Sequence, residues 1–153
     1  MKKLYLLRHA DAAPMKHGQK DSQRPLTDRG RKQAAEVAAE AKLKMFSVDL
    51  ILTSPYARAL DTARIFAAVY EMQGQVIEEP LLECGCSVQE IRKILTRYED
   101  CESILCVGHE PDFGVIAAAL LGQKTSWPFH KAECREIDLS NGLRFLLEDA
   151  PGD

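Results

Sequence analysis

An apolar run, a polar residue at its end and a helical repeat behind it occur in that order three times along this chain. The first run is "KLYLLR" (3–8), which leads through a polar loop into "LTDRGRKQAAEVAAEAKLKM". There Ala34, Val37, Ala38 and Ala41 fall on one helical face, and Thr27 is placed to cap the start. The second is "VDLILTSPYARALDTARIFAAVY", a short strand followed by Ser54 as N-cap with Pro55 in the first helical position. Its predicted buried stripe runs through Leu60, Ala63, Ala67 and Tyr70. The third is "SILCVGHEPDFGVIAAALLG", a strand at 104–108, a polar junction and a helix ending at Gly122. Between these units, "QVIEE" reads as a short strand and "SVQEIRKILTRY" as an amphipathic helix. Near the end, "AECREIDLSNGLRFLLED" reads as two strands joined at Asn141-Gly142.

Strands alternating with helices predict an α/β fold: a three-layer domain over residues 1–153, its sheet mostly parallel, helices on both faces and the C-terminal hairpin at an edge. In such sheets ligands bind in the crevice outside the carboxyl ends of the strands. The chemistry is therefore to be sought where the apolar runs stop.

Composition narrows the partners. With 153 residues and 46% hydrophobic content the chain can bury a core without disulfides or metal staples. Its formal charge of −3 and the absence of long like-charge runs argue against nucleic acid or a membrane surface as partner. The lysines at 2 and 3 precede only four apolar residues before Arg8, well short of the about 7–15 of a signal-peptide core. No stretch approaches the roughly 20 apolar residues of a membrane span, so a cytoplasmic protein is expected, with a monomer as its default state. Cysteines at 84, 86, 101, 106 and 134 are expected to be reduced thiols, Cys84 and Cys86 included, since no second close pair completes a metal site.

The first run ends in Arg8-His9, the second in Ser54 with Arg58 one turn into the next helix, and the third in Gly108-His109. Parallel strands would bring these to one rim. Two imidazoles and two guanidiniums together are costly in the absence of an anion, and arginine's fork of donors suits the oxygens of phosphate. Helix N-termini after Ser54 and His109 would add backbone N–H groups, and Gly108 would leave room for close approach. The chain has neither a G-x-x-x-x-G-K-[ST] loop nor a G-x-G-x-x-G, so a phosphoryl acceptor must come from the protein, and His9 is the candidate nucleophile. Asp11, Glu110 and Asp112 could form a metal set with the histidines, but two arginines alongside oppose a dication, so no metal or other cofactor is expected. Arg64 is read as a solvated helix face, and His17 and His130 as loop residues outside the chemistry.

"LLRHADA", "RPLTDRG", "TSPYARALDTA" and "VGHEPDFG", in this order from about residue 3 to residue 122, resemble the histidine phosphatase superfamily, and within it the small phosphohistidine phosphatases of the SixA type. The resemblance implies that His9 is phosphorylated, that Arg8, Arg58 and His109 bind the transferring group, and that Arg24 is a further phosphate contact. Ala10 stands where the superfamily signature has glycine, and Asp61 where glutamine is usual. Ester-cleaving members use a carboxylate to protonate the leaving oxygen. Glu83 is the candidate here, with Glu78 and Glu79 less well placed. The expected substrate is a phosphohistidine carried by a phosphorelay or phosphotransfer protein, because an imidazole leaves with little acid assistance. A small-molecule phosphomonoesterase using Glu83 is the alternative enzyme, and a phosphoryl-binding module without turnover is the alternative of another class.

Overall fold

A computed structural model describes residues 2–140. Five strands, β1 (Lys3–Arg8), β2 (Leu50–Thr53), β3 (Val76–Glu78), β4 (Ser103–Gly108) and β5 (Cys134–Asp138), form one sheet in the order β3-β2-β4-β1-β5. All neighbours are parallel except β5, which runs antiparallel to β1 at the edge. Among the described residues four α-helices cover it: α1 (Asp28–Leu43), α2 (Ala57–Val69), α3 (Val88–Arg97) and α4 (Asp112–Leu120). Among the described residues no helix is long and apolar enough to cross a membrane.

Strand periodicity sorts the core into two layers. Leu4, Leu6, Leu52, Ile104 and Cys106 pack with Ile91 and Ile94 of α3 and with Phe113 and Ile116 of α4. Their neighbours in sequence, Tyr5, Leu7, Ile51, Leu105 and Val107, pack on the other side with Ala38 and Ala41 of α1 and Ala63 and Phe66 of α2. β4, paired on both edges and covered on both faces, is buried at every position.

The helix boundaries follow their caps. Thr27 Oγ1 accepts from Gly30 N at 3.0 Å at the start of α1, as its position predicts, and Ser87 with Glu90 forms a reciprocal capping box on α3. α2 departs from expectation. It begins at Ala57 behind Tyr56, not at Pro55, so Ser54 is not its N-cap. Its buried face is Ala59, Thr62, Ala63, Phe66 and Ala67, and the predicted Leu60 and Tyr70 lie half-buried at the margins, because Arg58 shares the inward face. At the C-terminal side, Ser140 N and Oγ both donate to Asp138 Oδ1 just beyond β5. The hairpin turn expected at Asn141-Gly142 and its second strand lie outside the described residues.

Candidate active site

The register of the sheet assembles the rim. Arg8 at the end of β1 pairs with Gly108 at the end of β4, and His9 N donates to Gly108 O at 3.0 Å. Ser54 N donates to Val107 O at 3.0 Å from the end of β2, beyond the Thr53–Val107 pair. His9, His109 and Ser54 thus leave the same edge of the sheet, and the two imidazole centroids stand 5.4 Å apart. Arg58, second residue of α2 and only 4% exposed, extends Nε to 3.3 Å from His9 Nε2.

His9 is held in one tautomer. Its Nδ1 lies 2.7 Å from Ala10 O, which can only accept, so Nδ1 carries the proton and Nε2 keeps its lone pair on the side facing Arg58. Ala10 N in turn donates to Thr62 Oγ1 at 3.1 Å, and that hydroxyl donates to Arg58 O at 2.7 Å, tying the residue after the nucleophile candidate to α2. Burial, then the charges of Arg58, Arg8 and Arg24, lower the His9 pKa to about 4 against the upward pull of the Ala10 hydrogen bond. The ring is neutral at pH 7.

His109 is neutral for related reasons: burial first, then His9 and Arg58, bring it down to about 3. Its Nε2 lies 2.8 Å from Ser54 Oγ, a hydroxyl that accepts from Tyr56 N at 3.2 Å, and the Tyr56 ring stands edge-on 5.0 Å away. Ser54 therefore serves His109 directly. His109 Nδ1 and Arg8 Nε are buried and find no hydrogen-bond partner among the described residues, while Arg8 Nη1 donates to Phe129 O at 2.9 Å. A buried polar atom left so costs about 1–3 kcal/mol, and the oxygens of an anion would satisfy both.

Arg24 joins this cluster through Asp21, a residue that the sequence reading passed over. The buried Arg24 Nε lies 2.9 Å from Asp21 Oδ1, an ion pair not aligned as a hydrogen bond, and Arg58 Nη1 and Nη2 donate to Asp21 O at 2.9 Å and Asp21 Oδ2 at 3.1 Å. The only trace of this in the sequence is an acid three residues before Arg24 in "KDSQRPLT". Cys84 Sγ is 3.7 Å from Arg58 Nη2 at the mouth. Glu83 lies near enough to Tyr56 that, after burial and Cys84, its charge helps raise the Tyr56 phenol. Glu79 is turned away to Arg97 at 2.5 Å, and Glu78 is exposed on β3.

Gly108 does not leave space for a ligand: a Cβ there would stand 2.6 Å from the Phe113 ring, so the gap is filled by the core. α4 begins only at Asp112 behind Pro111, three residues past His109, and its Gly114 N is already capped by Glu110. The three acids weighed as metal ligands part company. Asp11 meets Lys131 and Thr27, Glu110 caps Gly114, and Asp112 accepts from Gly85 N. Asp61 reaches Leu26 N and Arg31, away from the imidazoles. Arg64, His17 and His130 are exposed.

Residues 4–100 match the family model described as histidine phosphatase superfamily (branch 1). The chain is 30% identical to the phosphohistidine phosphatase SixA homolog of Haemophilus influenzae, over 88% of this chain and 86% of that one. Its fold superimposes on the protein histidine phosphatase SixA in complex with tungstate with a TM-score of 0.82 at 26% identity, covering 92% and 90% of the two chains. The phosphoserine phosphatase of Entamoeba histolytica in complex with 3-phosphoglyceric acid has the same fold, with a TM-score of 0.68 at 20% identity over 93% of both chains. A mostly parallel sheet with two neutral imidazoles and a guanidinium converging at its carboxyl edge, together with these likenesses, places the chain in the histidine phosphatase superfamily.

Proposed function

We propose that this chain is a phosphohistidine phosphatase, which takes a phosphoryl group from a histidine of a partner protein onto Nε2 of His9 and passes it to water. The observation that carries this reading is the state of His9: a neutral ring, its proton held on Nδ1 by Ala10 O and its Nε2 lone pair facing Arg58. In the first step that lone pair attacks phosphorus, and the bond to the substrate imidazole breaks. With its other nitrogen protonated, the substrate ring takes the electron pair of the broken bond and leaves as neutral imidazole, the weak conjugate base of an imidazolium of pKa about 6.5, so the leaving nitrogen needs no proton donor. The His9 ring then carries positive charge, which Ala10 O stabilises through Nδ1–H. In the second step a water oxygen attacks phosphorus, the Nε2–P bond breaks, and inorganic phosphate departs with one proton released.

Charge gathers on the equatorial oxygens during both transfers, so preorganised donors are the main catalytic resource. Arg58, Arg8, Arg24 and His109 supply them, with Ser54 donating its hydroxyl proton to His109 Nε2 so that Nδ1–H is left to point at the phosphoryl group. The likeness to SixA proteins, one of them in complex with tungstate, supports this choice of substrate, and the ester-acting relatives, the Entamoeba histolytica phosphoserine phosphatase among them, share the fold. The partner is a phosphotransfer protein of the cytoplasm. Glu83 is the proton donor of the alternative, a small-molecule phosphomonoesterase.

Incubation with a radiolabelled phosphohistidine protein should leave acid-labile label on the wild type that decays with time, and none on His9→Gln. Label persisting on His9→Gln would end the covalent scheme. A preference for an alkyl phosphate ester, abolished in Glu83→Gln while hydrolysis of the phospho-enzyme survives, would replace the substrate and keep the nucleophile.

A further inference from the structure

Asp21 occupies an unusual place for an acid at a site that collects cations. One carboxylate oxygen lies 2.9 Å from Arg24 Nε, the other accepts from Arg58 Nη2 at 3.1 Å, and the backbone carbonyl of the same residue accepts from Arg58 Nη1 at 2.9 Å. Arg58 is thereby divided. Its Nη1 and Nη2 end is bound to Asp21, and its Nε is directed at His9. The Asp21 side chain is itself 51% exposed and sits in the one-turn segment Asp21–Gln23, so it closes the outer side of the rim without being part of the core.

We infer that Asp21 is a specificity-determining residue, an internal carboxylate that fills the anion position between Arg24 and Arg58 and so denies it to a second anionic group on the substrate. The inference rests on the reading of this rim as a phosphoryl site. Its class of preferred substrate is a phosphoryl group on an uncharged carrier, such as an imidazole, and the class it turns away is phosphate esters bearing a neighbouring carboxylate.

The charge balance agrees. Arg8, Arg24 and Arg58 contribute +3. Partial burial would raise the Asp21 pKa, but the hydrogen bond and charge of Arg58 and the charge of Arg24 outweigh it and hold the group below its ordinary value, ionised at neutral pH. With both imidazoles neutral, +3 − 1 leaves +2, the complement of a phosphoryl dianion, which carries about −1.5 to −2. Without Asp21 the same groups total +3, enough for a dianion and one carboxylate. Arginine's planar fork would then be open to that carboxylate in the geometry that Asp21 uses now.

The matched probes are 3-phosphoglycerate and glycerol 3-phosphate, which differ by a carboxylate in place of a hydroxymethyl group. Equilibrium dissociation constants for both are to be measured on the wild type, on Asp21→Asn, which retains the backbone contact to Arg58 and nearly the same shape, and on Asp21→Ala. In both variants 3-phosphoglycerate should tighten relative to glycerol 3-phosphate by about tenfold, on the scale of one charge removed at contact distance near a protein surface. A ratio unchanged from wild type, a joint weakening of both ligands, or no binding of either to any form would overturn the inference. Joint weakening would make Asp21 a brace for Arg58 alone. Formation of the phospho-enzyme by the wild type is read separately, so an unchanged ratio with intact labelling sinks the role of Asp21 and leaves the proposed function standing.

Discussion

At the scale of single residues, the two histidines are the most consequential side chains because they are buried uncharged among guanidiniums. Unfolded, each ring takes up a proton near pH 6.5; folded, burial and the neighbouring charges delay this to about 4 for His9 and about 3 for His109. The unfolded chain therefore binds more protons than the folded one below pH 6.5. The stability these rings contribute is complete above that value and falls as the pH drops from 6.5 toward 4, by about 1.4 kcal/mol per pH unit for each ring. Urea unfolding at pH 7, 6 and 5 should show this decline before the carboxylates begin to titrate, and His109→Gln should remove about half of the slope. A flat profile from pH 7 to 5 would mean that both rings take up protons in the folded protein as readily as in the unfolded chain.

At the scale of elements, α1 holds the loop that follows His9. Thr27 N and Oγ1 both reach Asp11 O, at 3.0 and 3.4 Å, and Gln33 Oε1 accepts from Asp11 N at 2.9 Å. This close approach requires a glycine in the first turn: a Cβ on Gly30 would stand 2.1 Å from Asp11 O, a contact with backbone that no rotamer relieves. Gly30→Ala should push Asp11, and with it Ala10 and His9, off α1, costing about 1–3 kcal/mol by overpacking and most of the turnover. Thermal unfolding and activity of the variant check this against Gly74→Ala, where an added Cβ meets nothing within 4 Å. Equal behaviour of the two variants would show that helix and loop can separate without consequence for the site.

At the scale of the whole molecule, the rim exists only when β1, β2 and β4 are paired, so anything that binds the rim stabilises the entire sheet. Tungstate at about 100 times its dissociation constant should add about 2.7 kcal/mol. For a chain of this size that corresponds to about 5–10 °C in the unfolding midpoint. Arg58→Ala should lose nearly all of that shift, since its guanidinium is the group in contact with His9 Nε2. An unmoved midpoint in the wild type would mean that the rim holds no oxyanion. The same dependence explains why the cluster is legible in outline. Parallel pairing brings strand ends together whatever the intervening loops do, and Arg8, His9 and His109 are the residues at or just past those ends.

What the sequence determined by itself is whatever depends on near neighbours along the chain. Alternation divided Leu4 and Leu6 from Tyr5 and Leu7 between the two faces, Thr27 capped α1, and Ser87 with Glu90 boxed the start of α3, each within a span of a few residues. Tertiary structure decided what those spans cannot contain. Ser54 has the profile of a helix cap, yet its hydroxyl goes to His109, 55 positions away. Gly108 has the profile of a ligand-facing glycine, yet Phe113 fills its space because α4 folds back on β4. Asp21 has no local signal beyond an acid in a polar loop, and its partner Arg58 lies 37 positions on. Helix and strand periods are set by bonds that repeat every few residues, whereas the partner of a lone polar atom is set by which elements the packed core brings against one another.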